Sequence, residues 1–114
     1  MFFSIINPID ARYSILVEKK TGFYNITDAY IQYRKMTKNP KPIVIGSWII
    51  QKSIQELIEI LSEEESSKMI INLYDDHLSP TEKGIYVHRV LYNQFIAYMD
   101  PSYTIKMSNL LMNP

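Results

Sequence analysis

The sequence of 114 residues contains no cysteine and only two histidines, His77 and His88. Without thiols the chain cannot form disulfide bonds, thiolate zinc sites or iron–sulfur clusters. Two histidines are too few for a self-contained catalytic zinc site, so we expect no metal and no cofactor. The sequence also lacks a phosphate-binding glycine-rich loop and a Ser/His/Asp order, and we therefore expect a protein that is not an enzyme.

The chain also lacks net charge, because twelve basic side chains balance twelve acidic ones. This balance excludes a polycation whose whole surface attracts phosphate. The longest nearly apolar run, residues 43–50, is far shorter than the roughly 20 residues of a membrane span. Residues 1–10 lack the basic start of a signal peptide. With 46% hydrophobic residues, we expect one intracellular domain over residues 1–114, with no membrane partner.

The first half of the chain shows short extended segments followed by a helical one. Residues 13–18 and 23–26 are rich in β-branched and aromatic residues and flank a turn that contains glycine, which predicts a hairpin. Thr27 is a suitable helix cap, and residues 29–36 have apolar and aromatic side chains at helical spacing. Asn39 and the proline after it end this helix.

The clearest amphipathic pattern lies in the middle of the chain. Apolar residues recur there at i, i+4, i+7, i+8 and i+11, namely Ile50, Ile54, Leu57, Ile58 and Leu61. Such spacing is typical of a helix with one buried face. Ser47 is placed to cap its start, so we predict a helix over residues 47–61.

The second half predicts two strands and then two helices. Residues 69–74 and 85–87 have strand composition, and the polar segment 75–84 joins them into a wing-like hairpin. Two helical patterns follow, and the second begins at Asp100-Pro101, where aspartate caps and proline takes the first helical position. The order β-β-α-α-β-β-α-α predicts a compact single domain of the α+β class.

Charge is unevenly distributed along the chain. Residues 29–55 contain five basic residues and no acidic one, whereas residues 56–65 contain five acids and no base. Such a separation steers a polyanion without any net charge. The candidate contacts for duplex DNA are Arg34, Lys35, Lys38, Lys41, Ser47, Gln51, Lys52, Gln55, His77 and Lys83.

These candidates differ in the chemistry they offer. Glutamines such as Gln51 and Gln55 pair with adenine, and Lys52 reaches guanine or phosphate. Ser47, at a helix start, has free backbone amides for another phosphate. The plainer interpretation is a solvated polar face, with Arg34 and its neighbour complementing the helix dipole.

Three collinear segments resemble KilA-N domains. Residues 22–28 (GFYNITD) are similar to the opening motif of that family, and residues 84–88 (GIYVH) to its closing motif. Between them, Trp48 and the ELI sequence at 56–58 stand where the family has a tryptophan and a central helix. The resemblance covers about residues 13–112, which we take as the core of the domain.

The resemblance implies a winged-helix-like module that binds double-stranded DNA and is related to the fungal APSES domain. In that arrangement the helix at 47–61 lies along the major groove, the segment 34–41 holds the backbone, and the wing at 75–84 touches an adjacent groove. Such domains are often the N-terminal part of a protein of a large DNA virus or phage, followed by a RING or nuclease-type domain. The implied roles are in transcription or replication, in a viral factory of the host cytoplasm or in the nucleus.

The alternative is a protein-interaction module that retains the fold without binding DNA. The zero net charge and the acidic run 63–65 support this alternative. The two hypotheses differ in where the acids lie. Acids intermixed with the basic residues favour protein interaction, whereas a separate basic surface favours DNA.

Overall fold

The computed structural model describes residues 1–65 and 67–112. Its strands are β1 (Phe2–Ile6), β2 (Ser14–Glu18), β3 (Tyr24–Asn25), β4 (Ile70–Leu73) and β5 (Gly84–Val87). Its helices are α1 (Ile26–Met36), α2 (Ile45–Ile49), α3 (Lys52–Glu65), α4 (Arg89–Met99) and α5 (Pro101–Met112). The predicted α+β class is confirmed. Within the described part of the chain, no helix is long and apolar enough to cross a membrane.

The strands form one antiparallel sheet in the order β1-β2-β3-β5-β4. The predicted hairpin of β2 and β3 is present, with Val17 opposite Tyr24, although β3 has only two residues. The predicted strands β4 and β5 also pair with each other. β1 was not predicted, because residues 1–10 indicated only a turn near Asn7. It adds a full five-residue partner to β2.

The core lies where the sheet packs against the helices, and α4 is the most deeply buried helix. Five of its eleven residues are buried, namely Leu91, Tyr92, Phe95, Ile96 and Met99. Two edge-to-face contacts hold other elements to it: Tyr24 of β3 lies 5.2 Å from Tyr92, and Trp48 of α2 lies 4.9 Å from Phe95, measured between ring centroids. α4 is therefore the helix on which both β3 and α2 pack.

The predicted single helix over residues 47–61 is wrong at its start. The chain forms α2, breaks at Ile50 and the residue after it, and continues as α3. Trp48 and Ile54 are both buried, yet six positions on a continuous helix place two side chains about 120° apart. The break lets both residues face the core, and it leaves Ile50 74% exposed. Ser47 is the third residue of α2 and does not cap it.

The predicted cap of α1 is also wrong by two residues. The helix begins at Ile26, and the Asn25 side chain accepts a hydrogen bond from the Asp28 amide at 2.8 Å. The Thr27 hydroxyl instead accepts a hydrogen bond from the Ile85 amide of β5 at 3.0 Å. Thr27 therefore joins α1 to the sheet, and asparagine performs the capping that both residue types favour.

The start of α5 agrees with its prediction. Pro101 is the first helical residue, and Asp100 accepts a hydrogen bond from the Ser102 amide at 3.2 Å. Its later apolar residues are less buried than helical spacing suggested. Leu110 is 49% exposed and Leu111 is 82% exposed.

Candidate nucleic-acid interface

The last turn of α1 carries Arg34 and Lys35, both of which are exposed. The Arg34 guanidinium lies 5.7 Å from the centroid of the Tyr30 ring, a cation–π contact that leaves its N–H groups free. Together with Ile31 and Pro40 these cations line an open concavity. Two positive groups at a helix C-terminus are favoured by its dipole and remain available to an anionic partner.

The segment after α1 is held against that helix by two tyrosine hydroxyls. The Tyr33 hydroxyl accepts a hydrogen bond from the Lys41 amide at 2.9 Å, and the Tyr30 hydroxyl accepts one from the Ile43 amide at 3.3 Å. The Lys41 ammonium donates to the Tyr98 carbonyl at 3.3 Å and lies 4.3 Å from the centroid of the Tyr98 ring. Lys41 is thus fixed at the C-terminal end of α4, and Lys38 lies exposed between it and α1.

The predicted polar residues at the junction of α2 and α3 differ from one another in their contacts. Lys52 is the exposed first residue of α3, and Gln51 before it is also exposed. The Gln55 side-chain amide donates to the Ile49 carbonyl at 2.7 Å, so it satisfies a free carbonyl at the end of α2. Gln55 as a DNA contact stays a prediction, with its side-chain amide engaged by Ile49 in the free domain, whereas Gln51 is open to solvent.

We expect Gln55→Ala to lower the free energy of unfolding by about 1 kcal/mol, because one carbonyl at the end of α2 loses its partner. Gln51→Ala is the matched control and should change it by less than about 0.5 kcal/mol, as exposed substitutions generally do. Urea unfolding followed by the fluorescence of Trp48, the single tryptophan, measures both. Equal effects of the two substitutions would contradict the assignment.

The acidic residues of α3 lie at different distances from the basic ones, because Glu56 is one turn after Lys52 whereas the run 63–65 is at the other end of the helix. Lys41 contacts Tyr98 near the C-terminal end of α4, whereas Glu65 lies 2.6 Å from His88 just before its N-terminal end. Eleven helical residues, about 16 Å, separate the two ends. Lys52 begins α3 and Glu65 ends it, about 21 Å away for 14 residues. We call Arg34, Lys35, Lys38, Lys41 and Lys52 the basic surface.

The sequence profile of the KilA-N domain matches residues 9–113. This chain belongs to the KilA-N domain family. KilA-N domains are DNA-binding domains, which supports a DNA-binding role and not an enzymatic one. Comparisons with curated proteins and with solved structures gave no match.

The KilA-N motif residues of this chain form turns and helix caps that hold the fold together. In the first motif Gly22 turns the chain with a φ of 74°, and Asn25 caps α1. In the second motif Gly84 lies directly against Asn25, and His88 caps α4 by accepting a hydrogen bond from the Val90 amide at Nδ1. Nε2 of His88 donates to Glu65. His88 is therefore the N-cap of α4.

The two remaining candidates of this KilA-N domain lie in the segment between β4 and β5. His77 is exposed, and Lys83 is half-buried with its carbonyl accepting a hydrogen bond from the Asn25 side chain at 3.3 Å. Asn25 is at the N-terminal end of α1, so about 14 Å of helix separates Lys83 from Arg34. The segment folds back on the sheet, because Leu78 is buried and the Tyr86 hydroxyl donates to its backbone.

The acidic residues beside His77 suggest no separate chemistry. Asp75, Asp76 and His77 are exposed in a turn. Over residues 1–65 and 67–112 no group of three carboxylate or imidazole side chains is arranged to hold a metal ion. The two histidines of the domain therefore have different surroundings, since His88 is buried in a helix cap and His77 faces solvent.

Proposed function

We propose that this KilA-N domain binds double-stranded DNA through the basic surface. The observation that carries the proposal is that the end of α1 and the segment after it carry four cations and no acid, while Glu65 lies at the opposite end of α4 from Lys41. In the described part of the chain, none of the five cations forms an ion pair. All but Lys41, whose ammonium donates to the Tyr98 carbonyl, remain available to replace the counterions of a phosphate.

In the proposed complex Arg34, Lys35 and Lys38 hold phosphates, and the start of α3 approaches the major groove with Gln51 and Lys52 toward the base edges. The Lys41 ammonium already rests on Tyr98, and its charge adds to the field at that end of the domain. Ser47 on α2 is exposed and adds a hydroxyl donor for phosphate. His77 and Lys83 lie in the segment near the N-terminal end of α1, away from Arg34. They would contact phosphates farther along the duplex.

The test is fluorescence anisotropy of the domain with random duplex DNA at two salt concentrations. The triple variant Arg34→Ala, Lys35→Ala, Lys38→Ala should bind about 10- to 100-fold more weakly at low salt. The slope of log affinity against log salt should decrease by about 1 for each phosphate that the variant no longer neutralises. Gln51→Ala should instead change the preference among sequences, because it removes a group that reads base edges.

The matched control removes the same number of charges elsewhere. Lys19→Ala, Lys20→Ala and Arg89→Ala alter exposed cations of the β2–β3 turn and the start of α4, and should leave affinity within about threefold. Equal losses in both triple variants would contradict the assigned surface. No binding of the unaltered domain at low salt would overturn the function and favour the protein-interaction module, which the zero net charge supports.

We further propose, from family membership, that the domain belongs to a protein of a large DNA virus or phage that regulates transcription or replication. The same membership supports a RING or nuclease-type domain that follows it in the full-length protein. It also supports residence in a viral factory of the host cytoplasm or in the nucleus. Imaging of the tagged full-length protein in the host tests this location, and exclusion from sites of DNA would contradict it.

A further inference from the structure

β1 is an edge strand, and its five residues include none of the usual protecting features. Among the residues that the structure describes it pairs only with β2, and its five residues run in continuous register without a bulge. Residues 1–9 contain no charged side chain. Phe3 is 41% exposed and Ile6 is 71% exposed. Natural sheets protect a free edge with lysine, proline or a bulge, because an open apolar strand pairs with other chains.

The opposite edge of the sheet differs. β4 contains the polar Asn72 and is bracketed by Lys68 before it and by Asp75 and Asp76 after it. Charges at both ends oppose the approach of another strand. β1 differs in having no charged side chain within two residues of either end, although Pro8 follows it at that distance.

The backbone hydrogen bonds show which groups of β1 are free. The Lys19 amide donates to the Met1 carbonyl at 2.8 Å, and the Asn7 amide donates to the Tyr13 carbonyl at 2.9 Å. Hydrogen-bonded pairs alternate along an antiparallel ladder, so odd-numbered residues of β1 face β2. The amides and carbonyls of Phe2, Ser4 and Ile6 therefore point away from the sheet.

We propose that two copies of this chain form a symmetric dimer by pairing β1 with β1 in antiparallel orientation, with the two-fold axis at Ser4. Ser4 then lies opposite Ser4 of the other copy, and Phe2 lies opposite Ile6. The two-fold axis repeats the Phe2–Ile6 pair, so there are three pairs. Each uses the outward-facing backbone groups of both strands, which gives about six hydrogen bonds across the interface. The two five-stranded sheets become one continuous sheet.

The sequence of β1, Phe-Phe-Ser-Ile-Ile, complements itself in this register. Phe2 meets Ile6 and Phe3 meets Ile5, and aromatic residues opposite β-branched ones are favourable cross-strand pairs. The small Ser4 occupies the axis, where a side chain must face its own copy. A five-residue strand makes a small interface, so we expect a dissociation constant on the order of micromolar or weaker.

Sedimentation velocity without DNA, over a series reaching hundreds of micromolar, should show a monomer–dimer equilibrium. Ser4→Lys places two positive charges opposite each other at the axis, and it should shift the protein to monomer by at least about tenfold in dissociation constant. High salt should partly restore the dimer, since salt screens that repulsion. Ser4→Ala is the matched control, because it keeps the backbone groups, and should dimerise as the unaltered chain does.

A cysteine cross-link tests the register directly, because the chain has no other thiol. Hydrogen-bonded antiparallel residues have Cα atoms about 5.5 Å apart, within the range of a disulfide. Ser4→Cys should therefore form a covalent dimer on mild oxidation much faster than Ser108→Cys, an exposed position of α5. A chain that stays monomeric throughout, or equal cross-linking rates, would overturn the dimer and leave the edge for a strand of another protein.

Discussion

Gly84→Ala is expected to lower the free energy of unfolding by about 3 to 5 kcal/mol. Gly84 has a φ of 148°, a conformation that residues with a Cβ rarely adopt, and such strain costs about 1 to 3 kcal/mol. An added Cβ would also lie 2.8 Å from Asn25 Oδ1 and 2.9 Å from Thr27 Cβ. Crowding of this kind adds about 1 to 3 kcal/mol.

The neighbours of Gly84 cannot move away cheaply. Asn25 Oδ1 accepts the capping hydrogen bond from the Asp28 amide, and its Nδ2 donates to the Lys83 carbonyl. The Thr27 hydroxyl accepts a hydrogen bond from the Ile85 amide. Relieving the clash therefore breaks the cap of α1 or its link to β5.

Gly46→Ala is the matched control, because Gly46 lies within α2 with nothing within 4 Å of an added Cβ. Alanine is the better helix former, so this variant should be unchanged or more stable by up to about 1 kcal/mol. Urea unfolding followed by the fluorescence of the buried Trp48 compares the two. If both substitutions changed stability by less than about 0.5 kcal/mol, the role of Gly84 in joining the two motifs would be wrong.

Sequence periodicity predicted the elements whose form can be read from the nearby sequence alone. α4 follows it because its apolar residues at helical spacing needed only the adjacent core to be buried. α5 begins where predicted, but of the predicted stripe only Tyr103 is buried. β4 and β5 follow it because a polar segment separates two β-rich runs. In these elements short-range pattern and long-range packing agree.

The break between α2 and α3 could not be predicted from pattern alone. A stripe from Ile50 to Leu61 is consistent with one helix, and only the packing of Trp48 on Phe95 requires the interruption. β1 was missed for a related reason. Its sequence has no alternation of polar and apolar residues, and its pairing with β2 depends on a register set across the seven-residue connection 7–13.

The candidate interface was predicted in its composition but not in its geometry. The charge counts indicated the cations of residues 34–41, whereas the tyrosine hydroxyls that hold this segment on α1 gave no signal. Helical spacing marked Tyr30 and Tyr33 as apolar positions. Helical spacing does not reveal the role of their hydroxyl groups, because each hydroxyl accepts a hydrogen bond from a backbone amide eight or more residues away.

Asp10→Asn is expected to lower the free energy of unfolding by about 3 kcal/mol at neutral pH. The Asp10 carboxylate is 1% exposed and lies 2.7 Å from the Arg12 guanidinium and 2.9 Å from the Lys106 ammonium. Arg12 also contacts Asp100, the residue before α5, at 2.9 Å. The amide keeps the shape but loses the charge, and hydrogen bonds between charged groups contribute about 1.5 to 3 kcal/mol each.

The same contacts give Asp10 a pH-dependent contribution to stability. The hydrogen bonds from Arg12, opposed by burial and reinforced by Lys106, hold the pKa of Asp10 well below its usual value. A carboxyl whose pKa is lower in the folded state stabilises the fold above its unfolded pKa of about 4, and this is lost as pH falls toward the folded pKa. Unfolding free energies measured from about pH 6 to about pH 2 should therefore fall steeply for the unaltered protein and less for Asp10→Asn.

Asp28→Asn is the control of opposite sign. Burial raises the pKa of Asp28, with a Gln32 hydrogen bond and the charge of Lys35 acting against that rise. A raised pKa makes the folded state bind a proton more readily than the unfolded state, so Asp28 favours folding as the pH falls. Removing Asp28 should make the acid-induced loss steeper, whereas removing Asp10 should make it shallower. Shifts in the same direction would contradict the assignment of the ion pairs of the buried Asp10 as the main acid-sensitive link between the N-terminal segment and α5.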